Sequence, residues 1–170
     1  VAHDADWKRI NVTNFINKTG EIVHYKSTLA GLFAAAVLAT GCASVPMANV
    51  ERDNAAKTFA VAPGQANIYV YRNESMGAAV KMDVELNGKP VGQTAAKTYL
   101  ALGVAPGRHT LVSKAENDSA LDIVAEPGKN YFVWQEVKMG LLYARNKLQI
   151  VDEPTGRAGV AECSLVETAR

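Results

Sequence analysis

Nucleophilic and metal-ligating side chains are few enough here to be weighed one by one. The chain holds two cysteines, Cys42 and Cys163, and His109 is the one histidine that follows Cys42. Cys42 closes the run Leu38-Ala39-Thr40-Gly41-Cys42. Cys163 repeats with Val160 and Val166 at helical spacing, which predicts a buried thiol. An intermolecular disulfide or redox role is its alternative use. His109 follows the Pro106-Gly107 turn in phase with Leu111, the place of a half-buried strand histidine. A Cys163–His109 pair would be a nucleophile and its base, which keeps an enzyme or redox protein as the alternative reading. Neither residue has a flanking motif, so the first expectation is a protein without enzymatic activity. No Cys/His cluster suits a metal and no Gly-rich phosphate loop follows a strand, so no metal and no cofactor are expected. Asp83 and Glu85 share one face of a predicted strand and read as a solvated stripe. Arg72, after Tyr71, is expected to pair with a carboxylate or stack on a ring in a structural role.

The least ordinary stretch is Met139-Gly140-Leu141-Leu142-Tyr143-Ala144-Arg145-Asn146-Lys147. If the strand before it simply continues, Leu141, Leu142 and Tyr143 are core. If they lie in a loop, they form an apolar patch flanked by Arg145 and Lys147, suited to a lipid surface or a protein partner. Leu141, Leu142, Tyr143 and Arg145 are therefore the candidate interaction residues.

Ahead of Cys42, Lys26 is followed by the apolar run Leu29–Leu38 and then by small residues. One positive charge, a short apolar core and a small-residue end make the layout of a secretory signal. Ten residues of helix rise only about 15 Å, half the hydrocarbon thickness, so a permanent span is not expected. Leu38–Cys42 resembles a bacterial lipobox, with Ala39 where that pattern usually has Leu. The resemblance implies diacylglycerol transfer to the Cys42 thiol, cleavage between Gly41 and Cys42, and acylation of the new amino end. Several buried acyl chains, at ~0.8 kcal/mol per CH₂, anchor a protein stably. Ala43 at the second position implies the periplasmic face of the outer membrane. Residues 1–22 are polar and precede this layout. They are expected to be a start-site miscall or a disordered extension, with the signal at 23–41.

Composition agrees with an exported globular domain. Apolar residues make up 48% and the formal charge is +1, which argues against nucleic acid as a partner. Residues 42–170 carry 14 basic and 14 acidic side chains, so no bulk charge draws the domain to a membrane.

The elements that position these residues are short strands. Residues 42–49 are expected to be a tether and 50–170 the folded domain. Val50–Lys57 suits a short helix, with Phe59 as an anchor. Ala66, Ile68 and Val70 alternate with Asn67, Tyr69 and Tyr71, and Val80–Leu86 alternates cleanly. Asn87-Gly88 marks a hairpin. Further strands are predicted at 90–94, 99–104, 108–115, 120–125, 130–137 and 147–151. Asn130–Val137, apolar on both faces at its start, suits an interior strand. Thr155–Val166 is a weak helix with two glycines. The expected fold is all-β: a sandwich of seven to eight antiparallel strands with short flanking helices.

These residues resemble a bacterial family named domain of unknown function 2846. The resemblance rests on Ala56-Lys57-x-Phe59, Ala66-x-Ile68-Tyr69-Val70-Tyr71-Arg72, Asn87-Gly88-x-x-Val91-Gly92, Tyr99, Pro106-Gly107-x-His109 and Gly128-x-x-Tyr131. It covers roughly residues 50–166 and implies lipoproteins with no catalytic residue to carry over. Asn87–Leu111 also resembles a PEGA-type β-module, although Ala105-Pro106-Gly107-Arg108 lacks that module's acidic residue. The combined expectation is a lipid-anchored envelope protein, tethered to a membrane through Cys42. It would serve as a structural or protein-interaction module with an envelope partner.

Overall fold

The computed structural model describes residues 44–169. The expectations for residues 1–22 and 23–41, and for Gly41 and Cys42, lie outside them.

The first described element is α1 (Val50–Ala56), capped by Asn49, whose side chain accepts from the Arg52 N–H. Nine strands follow: β1 (Ala66–Arg72), β2 (Met82–Leu86), β3 (Lys89–Thr94), β4 (Thr98–Val104), β5 (Gly107–Lys114), β6 (Asp118–Ala125), β7 (Asn130–Met139), β8 (Ala144–Val151) and β9 (Ser164–Leu165). Helix α2 (Glu153–Ala161) lies between β8 and β9. One sheet has the order β8-β7-β1-β4-β9, the other β3-β2-β5-β6. Asn87 and Gly88 both take positive φ, 54° and 75°, in the β2–β3 turn, as an Asn-Gly hairpin requires.

Two differences from the expected sandwich have plain causes. The β1–β7 and β4–β9 pairs are parallel, because the chain visits the second sheet or α2 between them. Alternation reports which face a side chain takes, not which way its strand runs. The last helix is shorter than 155–166. Asp152 and Pro154 start it, with the Asp152 carboxylate accepting from the Thr155 N–H at 3.0 Å. It stops at Ala161 because Ser164 and Leu165 satisfy their backbone on the β4 edge instead.

The first sheet is buried on both faces. Ile68, Val70, Leu100 and Val133 face the second sheet, against Val84, Leu111 and Ile123. Tyr69, Tyr71, Tyr99 and Phe132 face outward and lie with Val160 and Cys163. Helices α1 and α2 thus make a third layer. Phe59 anchors as expected, edge-on to Tyr69 and Phe132 at 5.2 and 5.6 Å between centroids. The described part of the expected tether is docked rather than free: Val45 is buried and Met47 bridges to Val166. The unit 41–170 therefore carries its own core. No helix among the described residues is long and apolar enough to cross a membrane.

Candidate functional site

Strands β7 and β8 form one hairpin whose last pair is Met139↔Ala144, and Gly140–Tyr143 turn between them. This corrects the continuous-strand reading in which Leu141, Leu142 and Tyr143 are core. The loop is tied down from below. The Gly140 N–H donates to the Tyr143 carbonyl at 3.0 Å. Glu116, beyond the end of β5, accepts from the N–H groups of Leu141 (2.8 Å), Leu142 (2.8 Å) and Tyr143 (3.0 Å). The Tyr143 hydroxyl donates to the Ala115 carbonyl at 3.0 Å. Because the amides point inward at Glu116, the two leucine side chains point out. Leu141 is 91% and Leu142 85% exposed, with Met139 at 83%, Met76 at 55% and Tyr143 at 51%. Met76, Met139 and Tyr143 border one hollow, and Leu141 and Leu142 lie in the turn between Met139 and Tyr143.

The charges around this tip are sorted. The three backbone N–H groups, that of Tyr143 foremost, hold the Glu116 carboxyl below its ordinary value, with a smaller pull from Arg145. Glu136 is taken by Lys138 and Gln149, and Glu74 accepts from the Val137 N–H at 2.7 Å. Lys81, Arg145 and Lys147 form no ion pair with any described carboxylate. Lys147 stands opposite Glu136 across the β7–β8 ladder, and together Lys81, Lys138, Arg145 and Lys147 outnumber Glu74, Glu116 and Glu136 by one.

Beside the tip lies a cavity of about 240 Å³ lined by Met76, Gly77, Val80, Val137, Met139 and Tyr143. Its outer wall, the 73–81 loop, is held by Arg72. The guanidinium is fully buried and donates to the carbonyls of Val80 (2.7 Å), Met76 (2.9 Å) and Gly77 (2.5 Å). This corrects the expected partner, since backbone carbonyls replace a carboxylate or ring. Burial pulls the arginine's pKa down, opposed by the Glu74 charge.

The remaining sequence candidates fall elsewhere. His109 sits by the β2–β3 turn. Asn87 accepts the Thr110 N–H through Oδ1, so its amide donates to His109 Nδ1 at 3.0 Å. The His109 Nε2–H then donates to the Ala105 carbonyl at 2.8 Å. Cys163 lies on the other sheet, buried under α2, with its thiol 3.6 Å from the Arg72 carbonyl. Burial pushes that thiol up to about 12. The fold therefore does not bring Cys163 and His109 together. Asp83 accepts from the Gln93 amide at 2.8 Å, and Glu85 pairs with Lys114 at 2.6 Å, a surface stripe. Glu116 had no local signal, because its partners are more than twenty residues away. Gly140 was the signal for the turn: a Cβ there would strike the Tyr143 carbonyl and the Glu116 carboxylate.

The family described as "Protein of unknown function (DUF2846)" matches residues 62–146. An uncharacterized protein of Haemophilus influenzae is 33% identical over 138 residues, covering 80% of this chain and 82% of that protein. No solved structure matches. The hairpin, the parallel β1–β7 pair and the Arg72 clamp are thus features of a chain that belongs to the DUF2846 family.

Proposed function

We propose that this chain is a lipid-anchored module of a bacterial envelope, without enzymatic activity, that works by docking through its 139–145 tip. The Leu38–Cys42 lipobox resemblance supports acylation at Cys42, and Ala43 supports the periplasmic face of the outer membrane. The observation that carries the docking role is the pair Leu141 and Leu142, nearly fully exposed on a loop whose amides are fixed by Glu116. Exposed apolar side chains are tolerated singly. Several of them gathered on one hydrogen-bonded turn mark a recognition surface.

Two measurements test the two halves. Metabolic labelling with an alkyne fatty acid should mark the wild-type chain and not Cys42→Ser; a labelled Cys42→Ser chain refutes the anchor. A diazirine amino acid at position 142 should give discrete adducts in cells. The same probe at Val124, exposed on β6 of the second sheet, should not. Equal adducts at both positions refute docking through the tip.

A further inference from the structure

We infer that the surface the tip docks on is an anionic lipid bilayer, a reading that rests on the docking role proposed above and names its partner. Three observations converge on lipid. The first is shape. Leu141 and Leu142 project from a hairpin end with 91% and 85% of their surface free. A convex apolar knob enters a fluid surface without a matching pocket, whereas a protein partner must supply one. The second is backbone satisfaction. A segment entering an apolar phase needs its N–H and C=O groups paired. Here the N–H half is met within the protein, Gly140 to the Tyr143 carbonyl and the next three to Glu116. The Gly140, Leu141 and Leu142 carbonyls take no hydrogen bond from the described residues, so the backbone of the turn sits at the headgroup level and only the side chains go deeper. The third is charge. Lys81, Arg145 and Lys147 form no ion pair with a described carboxylate, and with Lys138 they outnumber Glu74, Glu116 and Glu136 by one. Their exposed heads complement lipid phosphates. Tyr143, half-exposed with its hydroxyl bonded, has the amphipathic character of an interfacial aromatic.

The sheet sets the posture. Pro46 and Ala48 bond to Glu167 and Leu165 at the β9 edge, so Ser44 lies toward the end of the sheet where Asn67 pairs with Gly103 and Asn130. Met139 lies nine residues up β7 from Asn130, about 30 Å at strand rise. A molecule that meets one bilayer through both its amino end and its tip therefore lies lengthwise along it.

The test uses residues 44–170, which include the whole of the described core. Sedimentation is measured with vesicles of phosphatidylcholine alone and of phosphatidylcholine mixed with phosphatidylglycerol. Binding is expected to the mixed vesicles and to fall more than tenfold in Leu142→Asp. It should fall about fivefold in each of Arg145→Gln and Lys147→Gln at low salt. All three positions are exposed, so the urea midpoints should match wild type. A Leu142→Trp, Trp134→Phe chain should shift its emission to the blue on the same vesicles. Absence of wild-type binding overturns the lipid assignment, as does equal binding by Leu142→Asp. If the position-142 adducts in cells are then proteins, docking stands and lipid falls. If there are none, both fall.

Discussion

Replacing Gly156 by alanine should destabilise the protein, although helix propensity argues the opposite. Gly156 and Gly159 lie inside α2, and alanine at such positions favours a helix by about 1 kcal/mol each. The packing opposes this more strongly. A Cβ at Gly156 would fall well inside contact distance of the Phe132 Cβ and ring, and one at Gly159 inside that of the Tyr71 ring. Neither ring can retreat. Phe132 is 1% exposed and stacked on Tyr69 at 5.2 Å between centroids, and Tyr71 is 3% exposed. With no flexible side-chain end to yield, α2 must lift off the sheet, and such overpacking costs about 1–3 kcal/mol. Taking the upper part of that range and subtracting the propensity gain leaves a net loss of about 1–2 kcal/mol. Urea unfolding of residues 44–170 reads this directly, because Trp134 is the one tryptophan there and lies beside α2. At about 1–1.5 kcal/mol per molar urea, the midpoint should fall by about 1 M. A Gly156→Ala midpoint equal to or above wild type would mean that propensity outweighs the contact, and the close approach of helix to sheet would be refuted.

Arg72→Met removes donors from three loop carbonyls and should cost about 3 kcal/mol or more, at ~1–3 kcal/mol for each buried acceptor left unsatisfied; a urea midpoint within about 0.5 M of wild type would refute the clamp. Cys163, buried and pushed up to about 12, should react with iodoacetamide at pH 8 only as fast as the protein unfolds, and immediate labelling of the folded chain would contradict its burial. Glu116 is held below its ordinary carboxyl value of 4.5. Its hold on the tip is therefore complete above that pH and is lost as pH falls through the lowered value. Amide exchange at Leu141–Tyr143 should show the matching loss of protection in acid, and Glu116→Ala should lack protection at neutral pH; unchanged protection in that variant would show that the carboxylate does not order the loop.

Much of the fold was legible because period-two alternation is imposed by burial. Ile68 and Val70 had to face one way and Tyr69 and Tyr71 the other, and the structure uses both faces. Asn87-Gly88 fixed a turn through the φ its residues tolerate. Strand direction was not legible, because nothing in β7 states whether its neighbour β1 runs with it or against it. The end of α2 was not legible either. Cys163 keeps the spacing of a helical stripe with Val160 and Val166, yet the β4 edge competes for the backbone and takes Ser164 and Leu165. The two glycines of α2 read as helix weakness, and they are instead where Phe132 and Tyr71 reach the helix.

The tip shows where local reading stops. Tyr131 through Val137 with Leu141 to Tyr143 reads as one long apolar strand, and propensity alone would bury it. What turns the chain outward is Gly140 together with a carboxylate from another hairpin, whose three accepted bonds are worth making only once β5 and β8 are already neighbours. The leucines are exposed because the fold has committed their amides elsewhere. Had exposure come from disorder, the amides would be free to bond water and the side chains free to collapse onto the 240 Å³ cavity beside them. The chain instead commits the solvent-accessible Glu116 carboxylate to those three amides, which is the physical reason to read Leu141 and Leu142 as a surface kept for something else.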